Sequence, residues 1–138
     1  MIKFISYIFI GGFMKKKEEE YINIQLFALL FTLISVIISL LLTYNQKLEI
    51  KNLDTLFNPK TTFKIAKFNR SLILILGIIF LYVNYGLYKI SKNEGENLKP
   101  YILQIFASIL TVITAIITLY VIFLSSKENV SDIENPII

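Results

Sequence analysis

The chain has 138 residues, 55% of them hydrophobic, with a formal net charge of +4. It contains no Cys, His or Trp, which excludes disulfides, thiolate nucleophiles, imidazole bases and Cys/His metal centres. The length allows one domain, the apolar content exceeds that of ordinary soluble domains, and no nucleic-acid-binding module is visible.

Residues 1–13 join Lys3 to a short apolar stretch ending in Gly11-Gly12-Phe13. The stretch is too short to span a bilayer, and no small-x-small cleavage site follows it. It reads in two ways: as a translated purine-rich ribosome-binding sequence ahead of a start at Met14, or as a short interfacial segment. Lys15–Lys17 and Glu18–Glu20 follow as a solvated, mixed-charge helix start.

Residues 21–46 carry no charge. A bilayer core about 30 Å thick needs about 20 apolar residues in a helix, so a first span is expected over 21–44, with Tyr21 and Tyr44 at its edges. Gln25, Ala28, Thr32, Ser35, Ser39 and Thr43 recur at helical spacing and share one face. Small and hydroxyl residues on one face admit a close helix neighbour and hydrogen bonds across it, so Thr32, Ser35 and Ser39 are expected to face protein. No charged residue joins the stripe, which argues against a polar pore lining.

Residues 45–70 form the main connection. Asn58-Pro59 is a helix-start signal. Lys60, Lys64, Lys67 and Ser71 then repeat at helical spacing, and Arg70 closes the cluster. The pattern predicts a basic interfacial helix running into the second span, with Lys60, Lys64, Lys67 and Arg70 contacting anionic lipid headgroups. Each such cation is worth about 1 kcal/mol near an anionic surface.

Residues 71–88 are uncharged and mostly Leu, Ile, Val and Phe, giving a second span over 71–90 as the middle helix of three. Gly77 is expected to admit a close neighbour. Asn84, on a similar face, either bonds to another helix or meets water. A polar turn at 90–99 leads to Pro100, which opens the third span over 100–124. The remainder, 127–138, reads as an acidic, flexible tail. Asn69-Arg70-Ser71 and Asn129-Val130-Ser131 match a glycosylation pattern by chance.

The first and third spans align without gaps over Gln25–Leu40 and Gln104–Leu119, with eight of sixteen positions identical. The match predicts similar packing, with both spans flanking the second, and extends the protein-facing stripe to Thr111, Thr114 and Thr118. Lysines flank both ends of the spans in near balance, so the positive-inside rule does not choose an orientation.

These readings give an all-α integral membrane protein with three transmembrane helices over 14–126 and a basic interfacial helix before the second. Frequent Ile, Asn, Lys, Phe and Tyr, with one Arg among fourteen cations, suggest AT-rich codons and a bacterial plasma membrane. No catalytic, cofactor or metal residue stands out. The expected role is non-enzymatic: an accessory or structural membrane protein whose partners are the bilayer, its anionic lipids, and a second copy or another membrane protein. The alternative is a self-assembling pore or holin-like protein.

Overall fold

Local signals at the helix ends divide the chain into three helices. A computed structural model describes the backbone of residues 2–125 and the side chains of residues 15–125. All the regular structure described is helical: α1 is Ile2–Ile50, α2 is Pro59–Asn93 and α3 is Lys99–Leu124. The side chains of residues 1–13 and the acidic tail at 127–138 lie outside the described residues.

At the end of α1, Asn52 takes a left-handed φ of +56°. Its N–H bonds to Glu49 O, and Leu53 N–H reaches back to Leu48 O at 2.9 Å. This double closure satisfies the last carbonyls, and Asn tolerates the conformation better than a β-branched residue. The same device closes α2. Gly95 sits at φ +71°, Gly95 N–H bonds to Lys92 O, and Glu96 N–H bonds to Ser91 O. At the start of α2, the Asn58 side-chain oxygen accepts from Thr61 N–H at 2.7 Å and Pro59 occupies the first turn, as the sequence signal predicted.

The predicted basic interfacial helix is the opening of α2 itself, continuous with the second span. No Gly or Pro interrupts α2 between Pro59 and Gly77, and Thr62, Ala66 and Asn69 are buried by neighbouring helices. The packing therefore carries one continuous helix through the junction. At 35 residues α2 is about 52 Å long, well beyond the thickness of a hydrocarbon core.

α2 is the central helix, packed against both α1 and α3, and among the described residues no Cα of α1 lies within 8 Å of one in α3. Burial repeats every seven residues: Ala28, Ser35 and Leu42 on α1; Thr62, Asn69, Leu76, Val83 and Ile90 on α2; Ser108, Ala115 and Ile122 on α3. A seven-residue seam is the pattern of near-parallel helices crossing at about +20°. Leu42, Ala66 and Ile122 form a cluster from all three helices, joined by Ile38, Phe63 and Ile65.

Large apolar side chains cover the outer faces, including Phe27 at 65% exposure and Leu40 at 68%. Water would oppose so much exposed hydrocarbon, whereas a bilayer accommodates it. All three helices are long and apolar enough to cross a membrane.

Candidate functional site: polar seams and the basic end of α2

The α1–α2 seam is organised by Asn69, which is fully buried. Its amide oxygen accepts from the Ser35 hydroxyl at 2.7 Å, and its amide nitrogen donates to Ser39 Oγ at 2.8 Å. One side chain thus joins both hydroxyls of adjacent α1 turns. Thr32, on the same stripe, donates to Ala28 O of its own helix. Ser35 is buried, and Thr32 and Ser39 are half-buried.

Beyond Leu42 the seam continues through Asn45. Its amide nitrogen lies 3.4 Å from Thr62 Oγ1, and its amide oxygen accepts from Leu56 N–H at 2.8 Å and Phe57 N–H at 3.0 Å. Asn45 thereby ties the connection between α1 and α2 to the bundle. At the opposite end, the Tyr21 ring lies against Gly86, where a Cβ would overlap the ring. Tyr21 also meets Tyr82 edge-on, with centroids 5.6 Å apart.

The α2–α3 seam carries Gly77 and Asn84. A Cβ on Gly77 would stand 3.4 Å from Val112 Cγ2, so α3 approaches closely there. Asn84 donates to Ser108 Oγ at 2.6 Å, and Ser108 donates to Gln104 O. Of the two readings of Asn84, the structure has the bond to a neighbouring helix.

The repeated stripe is used differently on the two outer helices. The sequence match pairs Ala28 with Ala107 and Ser35 with Thr114, but burial pairs Ala28 with Ser108 and Ser35 with Ala115. A shift of one residue is a rotation of about 100°. α3 therefore presents the neighbouring face to α2. Thr111 and Thr114 are exposed and Thr118 is half-buried, and they donate to Ala107 O, Leu110 O and Ala115 O respectively.

The two sides of the α1–α2 seam differ chemically. On one, a cavity of about 500 Å³ between α1 and α2 is lined by Ile24, Phe27, Phe31, Leu72 and Ile75 and is almost wholly hydrocarbon. On the other, a cavity of about 210 Å³ gathers Gln25, Asn84, Gln104 and Thr111 around Gly77. Beside it, another of about 300 Å³ is lined by Thr32, Ser35, Ser39 and Thr111. Residues of all three helices line both cavities.

At the basic end of α2, Lys60, Lys64 and Lys67 are exposed. The Lys67 ammonium lies 5.0 Å from the centroid of the Phe123 ring. A cation beside an exposed apolar helix end suits the boundary between headgroups and acyl chains. Arg70 differs from the three lysines: at 6% exposure it is packed within the protein rather than presented to a headgroup.

Asn69 and Asn45 are the organising polar residues that the sequence reading passed over. The seven-residue series from Thr62 through Asn69 to Leu76 marks Asn69 as inward-facing. Among the described residues, no cluster of His, Cys, Asp or Glu could hold a metal ion. Comparison with protein-family models, curated proteins and solved structures finds no match to this chain.

Proposed function

We propose that this chain is a non-enzymatic accessory or structural protein of a bacterial plasma membrane, acting through helix packing and contact with anionic lipid. The observation that carries the reading is the division of polar groups. Serines and asparagines between the helices are engaged in holding them together, while Lys60, Lys64 and Lys67 stand exposed, Lys67 beside the apolar end of α3. The bilayer and its anionic lipids are the primary partners, with the exposed helix faces available to a second copy or another membrane protein.

The test is selective lipid retention by the full chain in detergent. Preference for phosphatidylglycerol over phosphatidylcholine should fall when Lys60, Lys64 and Lys67 are all changed to Gln. Retained preference in that variant overturns the headgroup reading.

The polar cavities on one face favour a second reading, a self-assembling pore or holin-like protein. In that arrangement several copies would turn Gln25, Thr32, Asn84 and Gln104 toward a shared aqueous path. Ion conductance in liposomes holding only the purified chain would support the pore; silent liposomes with intact, inserted protein support the accessory reading.

A further inference from the structure

Gln25 of α1 and Gln104 of α3 line the same cavity of about 210 Å³, and among the described residues neither side-chain amide makes a hydrogen bond. Each lies four residues inside its uncharged run, about 6 Å along the helix. An amide without a partner is costly in hydrocarbon, and acyl chains offer it none. The adjoining cavity of about 300 Å³ shares Gly77, Phe80 and Thr111 with the first and continues toward Ser39. Its lining is chiefly hydrocarbon, with Val36, Ile73 and Leu76 among it. The pair therefore has a polar end near the start of the spans and an apolar end deeper in. No charged side chain lines either cavity.

We propose that this groove binds an uncharged, hydroxyl-bearing glycerolipid of the diacylglycerol class. Its glycerol end would lie between Gln25 and Gln104, and one acyl chain would follow the adjoining cavity toward Ser39. Pockets of this kind, apolar with a few polar groups to fix orientation, form between the helices of bundles.

Hydrogen-bonding chemistry selects the head. Each glutamine offers two N–H donors and an accepting oxygen. A diacylglycerol brings one hydroxyl donor and two ester carbonyls, which is a complementary set. Asn84 spends its amide nitrogen on Ser108, and Thr111 spends its hydroxyl proton on Ala107 O, so their oxygens remain as further acceptors. Charge selects against phospholipids, because a phosphate would meet no cation in the lining. Depth agrees: about one helical turn below the charged residues is the level of glycerol and ester groups. The site is independent of the headgroup reading, since Lys60, Lys64 and Lys67 lie near the start of α2 and Asn84 near its end.

The experiment offers dioleoylglycerol and dioleoylphosphatidylcholine together to the full chain in detergent and reads the retained lipid by native mass spectrometry. Dioleoylglycerol should be retained in preference. Changing Gln25→Leu with Gln104→Leu should lower that preference about tenfold, the ratio that two ordinary hydrogen bonds supply. Gln104→Leu alone, at an exposed position, should lower it about threefold and serves if the double variant is not recovered. Ile75→Trp, which fills the hydrocarbon cavity between α1 and α2, should leave the preference unchanged, as should the Lys60, Lys64, Lys67 to Gln variant. No preference for dioleoylglycerol, a preference indifferent to the glutamines, or an equal loss in Ile75→Trp or the lysine variant overturns the site. The headgroup reading is read separately, from phosphatidylglycerol, and stands or falls on that lipid.

Discussion

Replacing Asn69 by Ala would remove both hydrogen bonds that cross the α1–α2 seam, at 2.7 and 2.8 Å, from a side chain with no exposed surface. In a bilayer each interhelical bond is worth about 0.6 kcal/mol, because the unfolded reference also finds partners. The two bonds together then contribute about 1.2 kcal/mol. The truncated side chain adds a packing loss, so the full effect exceeds that figure. A double-mutant cycle separates the terms: Asn69→Ala with Ser35→Ala should show a coupling of about 0.6 kcal/mol. Asn69→Ala with Thr114→Ala should show none, because the Thr114 hydroxyl bonds to Leu110 O of its own helix. The assay is unfolding of the purified protein from mixed micelles by denaturing detergent. Zero coupling to Ser35, or equal coupling to both partners, would refute the reasoning.

Ser35→Leu should destabilise by about 1–3 kcal/mol, because the position is buried and an added side chain has to displace α2. Thr114→Leu should leave monomer stability within about 0.5 kcal/mol, since the site is exposed, and the same detergent assay reads both. Gly86→Ala should displace the Tyr21 ring, lowering stability and shifting tyrosine fluorescence, and Tyr21→Ala should relieve much of that loss. Near the end of α2, the Glu94 carboxyl is held above the usual carboxylate range, chiefly by its hydrogen bond with Glu96, then by desolvation and the Glu96 charge. A raised folded-state value means that this contribution is fully present below the unfolded value and is lost as pH rises through the folded one. Amide exchange at Gly95 and Glu96, corrected for its intrinsic pH dependence, should therefore quicken across that window, and Glu94→Gln should abolish the change.

The spans, the Asn58-Pro59 cap, the close approach at Gly77 and the inward stripe of α1 from Gln25 to Ser39 were legible because each rests on a local rule, whereas Thr43 at the stripe's end is exposed and Leu42 takes the buried position. Hydrocarbon run length, cap chemistry and helical spacing do not depend on where the neighbouring helix stands. Asn69 was not legible in the same way. Arg70 sets the edge of the uncharged run, so Asn69 appeared to belong to the connection, whereas the seam of α2 runs straight through it. The stripe on α3 shows another limit. A threonine in a helix can satisfy its hydroxyl on a carbonyl of the preceding turn, as Thr111 and Thr114 do, so a hydroxyl stripe alone does not dictate which face meets protein. A one-residue rotation costs such a helix no hydrogen bond. The serines of α1 differ because Asn69 supplies a partner with both a donor and an acceptor.

The central role of α2, packed against both α1 and α3 while those two make no close backbone contact, is directly testable in membranes because the chain has no native Cys. Paired substitutions Ser35→Cys with Asn69→Cys, and Asn84→Cys with Ser108→Cys, place thiols where side chains already meet across each seam. A third pair, Ile34→Cys with Ile113→Cys, probes α1 directly against α3 on exposed positions of each. Oxidation should cross-link the first two pairs within one chain and leave the third unlinked; efficient linkage of the third pair, with failure of either of the others, would contradict α2 as the central helix.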